Sequence, residues 1–174
     1  MTTCTVRPAH RGDADRVSQF GRRVFAATFA PDNDPLQMER YLATAYTPDA
    51  QAAELADPAV TTLLACDAAD AVLGFAQLRR SAVPSCVTGL PAIELWRFYV
   101  DHAWHGRGVA ATMMQAVQDA ARGSGARTLW LGVWERNPRA HAFYRKAGFA
   151  PVGTQCFIFG TEPQTDQIWV RPLQ

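Results

Sequence analysis

The apolar residues of this chain follow two different rhythms, and the changes between them divide it into elements. Val17, Phe20, Val24, Phe25 and Thr28 recur at the three-to-four residue spacing of one helix face, after Asp13 as a candidate N-cap, and predict a helix to about residue 29. Two prolines mark the turn Ala30-Pro-Asp-Asn-Asp-Pro35. Leu36, Met38, Tyr41, Leu42 and Ala45 then carry a second helix, and Thr47 followed by Pro48 opens a third that runs to Ala56. Runs of β-branched and aromatic residues predict a first strand at 3–8, a hairpin of 60–66 and 71–79 around Asp67-Ala-Ala-Asp70, and a strand at 93–100 behind a connecting loop at 81–91. A helix from about 106 to 122 stops at Gly123-Ser-Gly125, and a nearly all-apolar strand at 127–135 reads as central and covered on both faces. A helix from Asn137 to Ala147 ends on Gly148, and strands near 149–159 and 166–172 close the chain. Interleaved strands and helices of this kind predict an α/β (α+β) fold, a mixed sheet in one domain over residues 1–174.

The junction between the strand at 93–100 and the following helix carries the first candidate chemistry. Phe98 to Met114 passes from a β-type run through a polar turn with Gly106 and Gly108 into helical spacing at Val109, Met113, Ala116, Val117 and Ala120. The first N–H groups of a helix lack intrahelical partners, and the peptide dipoles place roughly half a positive charge there. Glycines let the backbone approach an anion, and Arg107 adds a full charge, so the turn reads as a pyrophosphate cradle. Gly-x-Gly alone also serves as a plain tight turn. A dinucleotide fingerprint would need a glycine where Ala111 stands, and a P-loop would need Lys-Ser/Thr where Val109-Ala110 follow Gly108, so both common nucleotide motifs are excluded.

Composition narrows the classes further. At 174 residues the chain suits one well-buried core, with 48% hydrophobic and 19% charged residues. A formal net charge of +1, with basic residues grouped only as the pairs Arg22-Arg23 and Arg79-Arg80, predicts no nucleic-acid partner. Cys4, Cys66, Cys86 and Cys156 are widely separated and show no metal spacing, so no metal is expected and the thiols read as reduced fillers. The N-terminus lacks an apolar signal core and no run reaches transmembrane length, which predicts a cytoplasmic protein with no membrane partner.

His105-Gly-Arg-Gly-Val-Ala110 resembles the Gln/Arg-x-x-Gly-x-Gly/Ala signature of the GNAT superfamily of acetyl-coenzyme A dependent N-acetyltransferases, with His105 where Gln or Arg is usual. Asn137-Pro-Arg-Ala-His-Ala-Phe-Tyr-Arg-Lys-Ala-Gly-Phe149 is similar to the family's second motif, Asn-x-x-Ala-x-x-Phe-Tyr-x-x-x-Gly-Phe. The order of elements matches that fold over nearly the whole chain. The resemblance implies a GNAT fold, a mixed sheet of six to seven strands flanked by about four helices. It also implies acetyl-coenzyme A (acetyl-CoA) held by the backbone of Phe98, Tyr99 and Val100, by His105, Gly106, Arg107, Gly108, Val109 and Ala110, and by Asn137 and Tyr144. Homodimers are common in the family.

Acetyl transfer to an amine needs a neutral nucleophile, although free alkyl amines have a pKa of about 10. It also needs donors for the developing oxyanion and a proton for the departing thiolate. By resemblance Tyr144 is the acid, its residue-type alternative being a packed aromatic beside Phe143. Glu94, charged within the apolar strand Ile93-Glu-Leu-Trp-Arg97, is the candidate base; a salt bridge with Arg97 or edge exposure accounts for it equally. His102, Tyr99 and His141 are weaker candidates. Asn137 also suits a helix N-cap before Pro138. Phe25-Ala-Ala-Thr-Phe29, Met38-Glu-Arg-Tyr-Leu42 and Gln51-Ala-Ala-Glu-Leu-Ala-Asp57 resemble the N-terminal segment of bacterial spermidine/spermine N-acetyltransferases. That likeness implies a polyamine acceptor, with Phe25, Phe29, Glu39 and Tyr41 as its contacts, while Asp32 and Asp34 read as a solvated acidic turn ahead of a cation contact. A protein, amino-acid or drug amine is the alternative acceptor, and a non-catalytic acyl-coenzyme A sensor the alternative of another class.

Overall fold

The computed structural model describes residues 4–174; the part of the expected first strand at residue 3, and the N-terminal Met-Thr-Thr, lie outside the described residues. Seven strands, β1 (Thr5–Pro8), β2 (Val60–Cys66), β3 (Val72–Arg79), β4 (Ala92–Val100), β5 (Thr128–Trp134), β6 (Ala150–Phe159) and β7 (Glu162–Pro172), form one sheet in the order β1-β2-β3-β4-β5-β7-β6. Every neighbouring pair is antiparallel except β4 with β5. The helices are α1 (Ala14–Phe29), α2 (Pro35–Ala45), α3 (Pro48–Ala56), α4 (Val109–Gly123) and α5 (Pro138–Lys146), the five that the sequence predicts.

Strand periodicity divides the core between the two faces of the sheet. Leu63 and Ala65 of β2 pack with Val109, Met113, Met114, Val117 and Ala121 of α4, whereas their neighbours Leu64 and Cys66 pack with Val17, Phe20, Val24 and Phe25 of α1 and Met38 and Leu42 of α2. Each buried Val, Leu, Phe or Met among them contributes about 1.5–3 kcal/mol relative to leaving it in water.

Local capping sets the helix starts. The Asp34 carboxylate accepts from Leu36 and Gln37 N–H, the Thr47 hydroxyl from Ala50 N–H, and Asn137 Oδ1 from Ala140 N–H, each followed by proline at the first helical position. Asp34 is thus the cap of α2. Asp13 departs from expectation. A short 3-10 turn at Arg11–Asp13 precedes α1, and Asp13 stands at the N-cap position of α1, but its side chain makes no capping bond to that helix and accepts from the His10 N–H of the 3-10 turn instead. It is 1% exposed and accepts from Arg7 Nη1 at 2.9 Å, Arg7 Nη2 at 3.0 Å, Arg16 Nη1 at 3.1 Å and His10 N–H at 3.0 Å. Charge partners from β1 and α1 outcompete the helix N-terminus for this carboxylate. The cysteines at 4, 66, 86 and 156 are all free thiols.

Two irregularities in β4 open the sheet. Gln77 of β3 faces Arg97 and Leu78 faces Leu95, so Trp96 is an extra residue on β4, a bulge that bends the strand. On its other side β4 pairs with β5 only through Ala92, Ile93 and Glu94, opposite Thr128, Leu129 and Trp130. Beyond that the two parallel strands diverge, and the edge of β4 from Leu95 to Val100 faces a gap.

Candidate active site

A cavity of about 400 Å³ occupies the gap. On the α4/α5 side it is lined by Leu95, Phe98, Val100, His105, Gly106, Ala110, Val133, Asn137, Phe143 and Tyr144, and on the α1/α2 side by Phe25, Phe29, Tyr41, Tyr99, Trp134, Phe157, Glu94 and Asp166. The two halves meet across the bend of β4.

The cradle half fits an extended phosphate-bearing group. Gly106 and Gly108 have φ of +74° and +89°, a left-handed backbone that favours glycine, and a Cβ at either would meet nothing within 4 Å. Gly108 is the N-cap of α4 and brings no side chain to the first-turn N–H groups, which stay free for an anion. The helix starts at Val109, later than the predicted 106, because those two glycines form the turn itself. The Arg107 guanidinium lies 5.3 Å over the Trp104 ring at the exposed rim. His105 Nε2 is 2.9 Å from the Val100 carbonyl, an acceptor, so Nε2 carries the hydrogen and Nδ1, buried without a partner, keeps its lone pair. Burial lowers the His105 pKa and favours this neutral ring. The first motif position therefore locks the end of β4 to the turn instead of offering a charge. Asn137, Ala110 and the β4 backbone all face this half, as expected, whereas Val109 is buried in the α4 core and lends only its backbone.

Tyr144 projects from α5 into the cavity at 9% exposure, between the rings of Phe143 at 5.4 Å, Phe149 at 5.6 Å and Phe98 at 6.4 Å. Burial alone pushes its hydroxyl pKa well above the ordinary tyrosine value, so it remains protonated across the neutral range.

Glu94 is at the cavity wall but engaged. Arg79 Nε and Nη2 donate to its two oxygens at 2.5 and 3.2 Å, and Ser81 Oγ donates at 2.7 Å. Its partner is Arg79, directly opposite on β3, and not Arg97. Arg97 instead donates to Glu54 at 2.5 Å and Gln77 at 2.7 Å, and both guanidiniums lie within 4.0 Å of the Trp96 ring centre.

The α1/α2 half is an aromatic chamber. Phe25 stacks on Tyr41 at 4.6 Å and lies 4.6 Å from Phe29; Phe29 meets Trp134 at 6.1 Å and Tyr41 meets Phe157 at 5.9 Å. Three of the four expected acceptor contacts thus meet here. Glu39 does not: it is exposed on α2, because the face carrying Met38 and Leu42 turns inward. Asp32 is likewise exposed. His102 sits at the rim, 3.2 Å from Thr28 Oγ1, and His141, bonded to the Trp134 carbonyl at 3.1 Å and stacked on Trp169, lies outside the lining.

Asp166 escaped the sequence reading. β7 begins at Glu162, four positions before the predicted start, so Asp166 lies inside the strand, opposite Trp134 of β5 and Gln155 of β6. An acid two residues before the apolar run Ile168-Trp-Val170 was the available signal. The carboxylate is 9% exposed, and burial alone raises its pKa from 3.8 to about 6. The folded state therefore binds this proton more tightly than the unfolded chain does, and stability is lost as pH rises through 6. Asp166→Asn is expected to raise stability at pH 8 by about 3 kcal/mol, the gain vanishing near pH 4; urea unfolding at the two pH values measures it.

Among the described residues there is no cluster of three His, Cys, Asp or Glu able to hold a metal, and no helix long and apolar enough to cross a membrane. Residues 22–149 match the Acetyltransferase (GNAT) family. Uncharacterized N-acetyltransferases of Mycobacterium bovis and Mycobacterium tuberculosis are 30% identical over 161 residues, 92% of this chain and 98% of theirs. Among solved structures, the PaiA N-acetyltransferase of Thermoplasma acidophilum in complex with coenzyme A superposes with a TM-score of 0.80 at 19% identity, covering 98% of this chain and 99% of that one. A chimeric spermidine N-acetyltransferase SpeG from Vibrio cholerae gives 0.69 at 17% identity, covering 98% and 95%. At these identities the two structures speak for the fold alone.

Proposed function

The chain belongs to the GNAT family of acetyltransferases, and from that premise we propose that it transfers an acetyl group from acetyl-coenzyme A directly to a primary amine bound in the aromatic chamber. The observation that carries this reading is the divergence of β4 from β5, which joins an anion cradle and an amine-sized aromatic chamber in one cavity.

The open edge of β4 at Phe98, Tyr99 and Val100 suits pairing with the amides of the pantetheine arm, in the manner of an added strand. The first-turn N–H groups of α4 at Val109 and Ala110, with Gly106, Gly108 and the Arg107 charge, would hold the pyrophosphate. Asn137 spends its Oδ1 on the cap of α5 and keeps its amide N–H groups for the same ligand. When bound, the coenzyme supplies the acetyl group and a thiol leaving group. The Tyr144 hydroxyl holds a proton in reach of that leaving group's side of the cavity. Glu94, tied by Arg79 and Ser81, positions the wall of the chamber; as a base it would act through water at the cost of that ion pair.

The charges around the cavity weigh on the acceptor. Arg79 is paired with Glu94 and Arg97 with Glu54, so among the described residues Asp166 is the one lining carboxylate without an ion pair, enough for one ammonium and too little for the several charges of a polyamine. A monoamine on an aromatic or aliphatic body fits better: its apolar part buries against Phe25, Phe29, Tyr41 and Trp134. Polyamine and peptide acceptors are the competing arms of the test.

Thiol release from acetyl-coenzyme A is measured against 2-phenylethylamine, spermidine, amino acids and a short peptide. Saturable release with phenylethylamine and little with spermidine is expected. Gly108→Ala should raise the acetyl-coenzyme A KM about 10-fold or more, since its Cβ stands in the open cradle at an unfavourable φ. Coenzyme binding with silence across the panel would favour a sensor and sink the enzyme reading.

A further inference from the structure

Resting on the amine-acetylating reading, we propose that Asp166 is the group that receives the acceptor's ammonium and takes its proton. Glu94, the other carboxylate at the cavity, already faces Arg79 and Ser81. Asp166 is buried yet lines the cavity, with no ion pair among the described residues, so its carboxylate is left for an incoming cation. Such an isolated carboxylate is costly for folding alone, which is the pattern of a site that stores its partner position for a ligand.

The surroundings are built for that use. Gly132 of β5 leaves the room beside it: a Cβ there would come within 3.1 Å of Asp166 Oδ2 and 2.5 Å of Gln155 Nε2. Opposite it in the sheet stand Trp134 and Gln155, both uncharged. Burial is the main cause that raises the Tyr41 pKa on α2, with the Asp166 charge a lesser one, so Tyr41 remains neutral. Arg79, Glu94, Arg97 and Tyr99 of β3 and β4, His102 and His105 beyond β4, and Arg139 and Tyr144 of α5 face the same cavity, and it is burial that raises the Asp166 pKa. A carboxyl group poised near neutrality is a competent base at pH 7.

The step balances simply. One N–H bond of the ammonium breaks, its electron pair stays on nitrogen as the nucleophilic lone pair, and an O–H bond forms on Asp166. The proton then passes to water at the open end of the cavity.

The test is kcat/KM for 2-phenylethylamine between pH 5 and 10, by thiol release, for the wild type, Asp166→Asn and Asp166→Glu. In the wild type the rate should fall below about pH 6, as the carboxylate takes up its proton. Asp166→Asn should lose about 10²-fold or more at pH 7 and lose that acidic limb, its rate then climbing with pH as free amine forms. Asp166→Glu should recover part of the rate and keep a limb. Coenzyme-induced stabilisation of all three proteins reports that the cradle is intact, and loss of phenylethylamine-induced stabilisation in Asp166→Asn reports the ammonium contact without turnover. An Asp166→Asn enzyme with the wild-type rate and acidic limb overturns the inference and leaves the acetyltransferase reading standing. A wild type that binds coenzyme but acetylates no amine overturns both.

Discussion

Tyr144→Phe is expected to lower kcat by about 10²-fold while leaving the coenzyme KM and the melting temperature nearly unchanged. The substitution removes one oxygen and keeps the ring among Phe98, Phe143 and Phe149, so packing survives. Burial is the single cause of its raised pKa, with no charged neighbour or hydrogen bond acting on it, so no structural network collapses with the hydroxyl. What is lost is a proton donor facing the cavity. Because the pKa moves upward, the donor stays loaded to strongly alkaline pH, and wild-type turnover should show no alkaline fall from this group. Stopped-flow thiol release measures the loss, and a thioester of a more acidic thiol should recover part of it, since a better leaving group needs the proton less. Full turnover in the Phe enzyme would assign Tyr144 to packing alone.

Asp13→Asn is expected to cost about 2–3 kcal/mol, because it removes a buried carboxylate that accepts from Arg7 and Arg16, which are themselves about one-third exposed and keep Asp70 as a partner. Against a total stability of about 5–15 kcal/mol that is a large share. The sign with pH follows from the same contacts. The Arg7 hydrogen bonds hold the Asp13 carboxyl well below its ordinary value, so its contribution is complete above pH 3.8 and is lost as pH falls toward the folded value. Urea unfolding at pH 7 should show the deficit, narrowing in strong acid. Asp13 lies outside the cavity lining, so specific activity of the folded variant should be preserved; an unchanged midpoint would show that Arg7 and Arg16 are as well served by water.

Local chemistry was legible in the sequence. Prolines after Thr47 and Asn137 marked two helix starts, and Asp34 before Pro35 caps a third by the same chemistry, since a short acceptor side chain satisfies N–H groups two or three residues on without help from the rest of the chain. The glycine turn at 106–108 and the aromatic motif around Tyr144 were readable for the same reason: their geometry closes within a few residues. Three outcomes were decided only by tertiary structure. Asp13 was assigned to a cap by its neighbours in sequence and taken by Arg7, which the pairing of β1 with β2 sets beside it and beside Asp70. Glu94 met Arg79, which β3 sets directly opposite it, while the Trp96 bulge shifts the register by one residue and sets Arg97 opposite Gln77, where it donates to Gln77 and Glu54. Asp166 became the free carboxylate of the cavity only when β7 was laid between β5 and β6, with Gly132 leaving space beside it. Spacing along a chain encodes which residues share a helix turn or strand face, but the desolvation and pairing of a charge depend on what other strands bring within a few ångströms of it. The motifs that hold the coenzyme could therefore be read from the sequence, and the group that meets the amine could not.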